Sequence, residues 1–249
     1  MILFVSDLHL SAQTPKLTRI FLDFLGGRAR AAEALYILGD LFEYWVGDDD
    51  LEDLTNASIA KALRELSDSG VALNVMRGNR DFLLGDGFAA ATGARLLTDP
   101  YVLSLPAWQF VLSHGDALCT DDLEYQAFRS QSRTPEWQTA FLAKPLAERR
   151  AIARALREQS ESGKQEKNAY LMDLNPGATE DFLRDHGYAT FIHGHTHRPA
   201  AHDHIVDGIS VERWVLADWH ESSDGPTRAE CLVWDGEAGN EALHRENLT

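Results

Sequence analysis

Five short polar clusters stand in fixed order along this 249-residue chain, and nearly every one follows an apolar run with the character of a buried strand. Asp7-Leu8-His9 follows residues 2–5, and Gly39-Asp40 follows 35–38. Gly78-Asn79-Arg80-Asp81 follows 73–76, His114-Gly115-Asp116 follows 110–112, and Gly194-His195-Thr196-His197 follows 190–192. Strands of a sheet end together at one edge, and ligands bind in the crevice beyond their carboxyl ends. Clusters spread over most of the chain can therefore meet in one place. Together they offer Asp7, Asp40, His9, His114, His195, His197 and Asn79, an oxygen-and-imidazole set suited to borderline divalent metals such as manganese, iron or zinc. Seven donors are too many for one ion and fit two with one shared. A two-metal centre is expected.

Composition narrows the partners. Net charge is −16, which excludes a nucleic-acid partner gripped through many phosphates, because such grips need clustered Lys and Arg. The charge is uneven: residues 121–170 carry nine Lys+Arg against eight Asp+Glu, and the rest of the chain carries −17. A locally basic segment on an acidic body suggests an anionic small ligand or a lipid surface met by that segment alone. No run approaches the roughly 18 apolar residues of a membrane span. The opening MILFVSDLHL lacks a basic flank and runs straight into a ligand cluster, so it reads as a core strand of a cytosolic protein. Cys119 and Cys231 have no framework or metal-pair spacing and read as reduced, half-buried thiols.

Thr14-Pro15 opens a helix, with a capping hydroxyl before proline in the first turn. Leu17, Ile20, Phe21, Phe24 and Leu25 then repeat on one helical face. Weaker helical patterns cover 51–66 and 82–91, giving strand–helix alternation up to His114 with crossovers long enough for βαβ units. After His197, runs at 211–217 and 231–234 suggest antiparallel strands or a second sheet. The interval between is helix-rich, at 124–133, 135–142, 145–159 and 179–186. Its apolar positions lie beside Arg149, Arg150, Arg154 and Arg157. The plain reading is a surface helical hairpin with the arginines as its solvated face; the sharper one is a lid over the metals, tethered at both ends to metal ligands. Asp48-Asp49-Asp50 reads as a solvated acidic turn, and His193 as a packed core histidine.

Two cations about 3.5–4 Å apart activate water and stabilise the oxygens on which charge develops during displacement at phosphorus. Asp40, ending a hydrophobic strand, is placed to bridge them. The pattern D-x-H, G-D, G-N, H-G-D, G-H-T-H resembles that of the calcineurin-like metallophosphoesterases. The resemblance implies an α/β sandwich of two mixed β-sheets flanked by helices, here with an inserted helical lid. It also implies Asp7, His9 and His197 on one metal, Asn79, His114 and His195 on the other, and Asp40 between. Where that family commonly has His after Gly-Asn, this chain has Arg80. A guanidinium forks onto phosphate oxygens but does not serve as a general acid, which suits a substrate whose leaving group is already good.

Longer blocks sharpen the likeness. LGDLFEYWVGDD, RGNRDFLLG, LSHGDALCTDD and MDLNP, with the helical insert, resemble the branch of that family that cleaves UDP-2,3-diacylglucosamine in lipid A biosynthesis. This resemblance implies attack by metal-activated water on the α-phosphate, giving UMP and 2,3-bis(3-hydroxyacyl)-glucosamine 1-phosphate. It implies catalytic roles for Asp40, Asn79, Arg80 and His195, and substrate contacts by Asn79, Arg80, Asp122, Ser160, Lys164, Lys167 and His195, with Tyr125 a further lid candidate. On residues alone, Asp122, Ser160 and the two lysines would be ordinary lid surface. Manganese is the expected metal. The expected partners are the UDP-diacylglucosamine lipid and an anionic membrane surface, met peripherally at the cytoplasmic face of the inner membrane by a monomer. One domain is expected over 1–249, with the lid at about 121–167. Two alternatives stay open: a pyrophosphatase or phosphodiesterase of soluble nucleotides, against which the apolar, basic insert argues, and a non-catalytic scaffold, against which the complete ligand set argues.

Overall fold

The computed structural model describes residues 1–106, 108–166, 173–221, 225–236 and 242–249, with the side chains of 159–166 outside the description. Strands β1 (Ile2–Val5), β2 (Ala34–Leu38), β3 (Ala72–Met76) and β4 (Arg95–Leu97) pair in parallel. Strands β10 (Glu230–Trp234) and β11 (Leu243–Asn247) extend this sheet antiparallel, in the order β11-β10-β1-β2-β3-β4. A second sheet runs β5-β6-β7-β9-β8, formed by β5 (Tyr101–Ser104), β6 (Gln109–Ser113), β7 (Thr190–His193), β8 (Ala200–Val206) and β9 (Ile209–Val215). Both sheets are mixed, as expected.

The apolar runs are continuous because their strands are covered on both faces. Along β1, Leu3 and Val5 face the helices while Ile2 and Phe4 face the second sheet. The first face packs on α1 (Pro15–Gly26), α2 (Leu54–Asp68) and α3 (Asp86–Thr92), with Leu17, Phe21, Phe24, Leu25, Ile59 and Leu63 buried there. Between the sheets lie Tyr36, Leu38 and Met76 against Phe110, Leu112 and Ile192. The outer face of the second sheet, at Val111 and Phe191, is covered by Leu183 of α7 (Pro176–Asp185). Helix α1 begins where Thr14-Pro15 predicts, but the Thr14 hydroxyl turns back to the 9–11 segment instead of capping. Strand β9 falls on the expected run at 211–217, while its antiparallel partner β8 escapes the sequence reading because it is a polar edge strand. Its signal was the Asp207-Gly208 turn, both residues at positive φ (54° and 81°). Cys119 and Cys231 are in no disulfide among the described residues, and both are buried.

Helices α4 (Leu123–Ser132), α5 (Pro135–Leu142) and α6 (Leu146–Glu166) fill the interval between β6 and β7. Here two expectations are corrected. Arg149 is buried, donates to the carbonyls of Val46 and Lys144, and forks onto Asp49. Arg150 pairs with buried Asp50, and Arg157 reaches Glu43. Of the four arginines only Arg154 is exposed. The acidic turn is likewise not simply solvated: half-exposed Asp49 and buried Asp50 dock α6, while Asp48 accepts from the backbone of Gly85 and Gly87 at 3.0 and 2.7 Å. A long interval of sequence separates the two charge clusters, so each reads locally as surface, and only their contact neutralises them. Arg149→Ala is expected to destabilise the protein by about 1–3 kcal/mol, since the buried Val46 carbonyl loses its donor. Arg154→Ala should stay within about 0.5 kcal/mol. Urea unfolding of both variants measures the difference.

Candidate metal centre

Strands β1, β2 and β3 end level because they are parallel and in register, with Val5 opposite Ile37 and Leu38 opposite Met76. In the facing sheet β6 and β7 also end side by side, Ser113 opposite His193. Each strand releases its polar cluster within three residues of its last one. The exits are sharp. Asp7, His9, Asp40, His195 and His197 all hold left-handed backbone, with φ of 54°, 49°, 52°, 69° and 56°. Among the described non-glycine residues only Tyr188 and Asp207 share it. Such a conformation costs of order 1–3 kcal/mol per residue and persists where surrounding structure overrides it, commonly at functional sites.

Two donor groups result. In one, Asp7 Oδ1 lies 3.4 Å from His197 Nε2 and 4.0 Å from His9 Nε2, and the two imidazole nitrogens are 3.3 Å apart. Ligands about 2.1 Å from one cation stand roughly 3.0–3.4 Å from each other, so two edges of this triangle have the dimensions of a coordination face and the Asp7–His9 edge is longer. In the other, Asn79 Oδ1 lies 2.8 Å from His114 Nε2 and 2.9 Å from His195 Nδ1, with Asp40 Oδ1 3.7 Å from the same His114 nitrogen. Asp7, Asp40 and His114 present donor atoms within 4.8 Å of one another, so Asp7 is common to both groups. Asp40 also turns toward Arg80, whose N–H donates to Oδ1 at 2.9 Å while its Nε stands 3.6 Å from Oδ2.

These residues fit divalent cations on three observations. Asp7 Oδ1 is buried with no hydrogen-bond partner, a costly state for a carboxylate oxygen unless a cation takes it up. Burial, with Asp81 and Asp7 nearby, pushes the Asp40 carboxyl up to about 7 against the pull of His114. Burial disfavours charged His114, yet Asp40, Asp7 and Asp116 around it raise it to about 9. Crowded carboxylates of this kind are what a divalent ion relieves. Burial and then His114 drive His195 down to about 3, and burial and then Arg80 push His9 well below its ordinary value, leaving lone pairs free for ligation. Backbone must also come close: a Cβ on Gly78 would collide with the Asp40 carboxylate, and one on Gly194 with Asp7 and the Ser6 hydroxyl.

Several residues here carried no assigned role in the sequence. His114 Nδ1 lies 2.9 Å from Leu38 O, His197 Nδ1 lies 3.7 Å from Asp218, and His9 Nδ1 lies 3.5 Å from Glu43. A carbonyl such as Leu38 O orients a metal-binding imidazole, whereas Asp218 and Glu43 face His197 and His9 as nearby charges without a hydrogen bond. Asp81 accepts from the N–H groups of Gly78, Leu41 and Asp40 at 2.7, 2.8 and 3.3 Å, holding two ligand loops together. Asp116 accepts from Tyr125 Oη and, at 2.8 Å, from Arg129 Nε, pinning α4 beside the site. Asp81 and Asp116 sit inside the quoted motifs, so proximity was their signal; Asp218 had none.

The remaining candidates separate. Arg80 lines a cavity of about 330 Å³ with His9, Glu43, Arg157, His197 and Arg228. The Tyr125 ring stacks near His195, centroids 6.1 Å apart. Asp122 caps α4, accepting from Tyr125 N–H at 3.2 Å. The side chains of Ser160 and Lys164, and all of Lys167, lie outside the described residues.

Residues 1–199 match the family model described as calcineurin-like phosphoesterase. The chain belongs to the calcineurin-like phosphoesterases, a class of metal-dependent hydrolases. Within that class it is 55% identical to the UDP-2,3-diacylglucosamine hydrolase of Aromatoleum aromaticum, over 94% of this chain and 93% of that one. It is 54% identical to the protein of the same name from Chromobacterium violaceum, over 89% and 92% of the two chains. The Chromohalobacter salexigens protein of that name is 49% identical, over 92% of each.

Proposed function

We propose that this chain hydrolyses the pyrophosphate bond of UDP-2,3-bis(3-hydroxyacyl)-glucosamine, giving UMP and 2,3-bis(3-hydroxyacyl)-glucosamine 1-phosphate for lipid A synthesis. The observation that carries the reading is the pair of donor groups sharing Asp7 in a chain about half identical to hydrolases named for this substrate. Asp7, His9 and His197 would hold one divalent ion and Asn79, His114 and His195 the other, with Asp40 shared between them, manganese being the expected occupant. Bound there, the ions lower the pKa of water and stabilise charge developing on phosphorus. The chain's residues do the rest. Arg80, anchored between Asp40 and Glu43, directs its guanidinium at the phosphate oxygens. His195, beside Tyr125, borders the place where the α-phosphate sits. A phosphate-monoester leaving group has a second pKa near 6, so it departs without a proton, and Arg80 can stand where relatives of the wider class carry histidine.

Residues 1–249 are read as one catalytic domain, with about 121–167 as a lid for the acylated sugar. Leu123, Leu142 and Leu156 of α4, α5 and α6 are exposed, as a surface resting against lipid requires. No helix among the described residues is long and apolar enough to cross a membrane, so attachment at the inner membrane's cytoplasmic face would be peripheral, by a monomer. The deciding assay supplies manganese-loaded protein with the diacylated UDP-sugar and, separately, with UDP-sugars lacking acyl chains. UMP released from the lipid alone supports the proposal. Equal release from both favours a soluble-nucleotide pyrophosphatase.

A further inference from the structure

Glu43 lies in the loop after β2, which is paired rung by rung with the loop after β1. Leu8 and His9 donate to Asp40 O, Leu10 to Leu41 O, and Glu43 to Leu10 O, at 2.9, 3.0, 3.0 and 3.1 Å. With the Leu10–Phe42 bridge, this sets the Glu43 backbone against the ligand His9. Its carboxylate then meets groups from three separate parts of the chain. Oε1 accepts from Arg80 Nη1 at 3.0 Å and from Nε of Arg157 in α6, while Oε2 stands 3.5 Å from His9 Nδ1. The three side chains are mostly shielded from water, at 21% exposure for Glu43, 10% for Arg80 and 24% for Arg157. All three line the cavity beside His9 and His197.

Two guanidiniums repel each other and separate unless an anion lies between them. Here one carboxylate oxygen holds both, so they stand side by side before any ligand arrives. Neither chain segment could do this alone, because Arg80 follows β3 and Arg157 rides on α6. We propose that Glu43 is a positioning residue that fixes Arg80 and Arg157 as one clamp for phosphate oxygens, and thereby seats α6 on the active site through the substrate-gripping groups themselves. The inference rests on the reaction assigned above for what the clamp grips. It differs in sign from the obvious rival, that Glu43 merely occupies an anion site from which substrate displaces it. A clamp loses affinity when its organising carboxylate is removed; a competed site gains affinity.

The test uses the full-length manganese-loaded protein, with UMP as the phosphate probe in isothermal titration. Glu43→Gln is expected to weaken UMP at least tenfold, as is Arg157→Gln. The double variant should fall within about twofold of the worse single one, the non-additivity of groups acting as a unit. In the absence of any ligand, amides of residues 149–158 should exchange with deuterium several-fold faster in Glu43→Gln than in the parent. Glu43→Asp, too short to reach both guanidiniums, should lie between parent and Gln in both readouts; it also replaces the Gln variant should that one not fold. Unchanged or tighter UMP binding, or unchanged exchange across 149–158, overturns the proposal. So does failure of the parent to bind UMP. Because the exchange readout needs no substrate, failure of the proposed hydrolysis, seen as no UMP from the lipid, is a separate result.

Discussion

Asp7→Asn should leave a folded protein that has lost most of both metals, with UDP-lipid hydrolysis lower by at least about 10³-fold, equivalent to roughly 4 kcal/mol of transition-state stabilisation. The substitution keeps the shape of the side chain and an acceptor for the His195 N–H, so the loop can hold its geometry. What disappears is the anionic Oδ1 set among His9 and His197, in the one residue common to both donor groups. Asp40→Asn provides the comparison. The Asp40 carboxylate lies with Asp7 and His114, and its amide counterpart can still accept from Arg80 N–H. Metal analysis should therefore find clearly fewer than two ions per chain in both variants. Two ions retained in either variant, with near-parental turnover, would remove that residue from the metal centre.

Arg80→Lys is expected to lower kcat/KM by about 10²–10³, the usual loss when one preorganised donor to developing charge is removed. The guanidinium is gripped twice, by Glu43 on Nη1 and beside Asp40 on Nε, which aims its remaining N–H groups. One ammonium cannot make both contacts and still fork onto phosphate. Arg80→His would restore the residue common in the wider class without the fork, and should not rescue the UDP-lipid reaction. It should instead favour a simple aryl phosphodiester, whose leaving group benefits from a proton. Steady-state kinetics on both substrates decide the point, and full UDP-lipid turnover by the His variant would defeat the leaving-group argument.

How much could be read beforehand varies with the range of the interactions involved. The strands behind the five clusters were legible almost to the residue, because a strand covered on both faces is apolar along nearly its whole length, as along 2–5 and 34–38. Helix α1 was legible for the matching reason: its buried residues recur on one face. Edge strands were not. Strand β8 carries the consecutive polar residues His202, Asp203 and His204 and is mostly exposed, so its turn into β9 declared itself only through Asp207-Gly208.

That Asp7, His9, Asp40, Asn79, His114, His195 and His197 would meet was legible in the sequence alone. Polar groups placed directly after buried strands have one place to go when the strands are parallel and in register, so the order of motifs already implies their meeting. The tertiary structure decided everything that depends on which charge finds which. Asp7 reaches His9 and His197 as well as Asp40 and His114, Asp49 and Asp50 receive Arg149 and Arg150, and Glu43 gathers Arg80, Arg157 and His9. Hydrophobic burial leaves a local trace, since each residue's surroundings are averaged over many neighbours of one kind. An ion pair is a choice of one distant partner, and the same Asp or Arg reads as surface until folding removes the water around it.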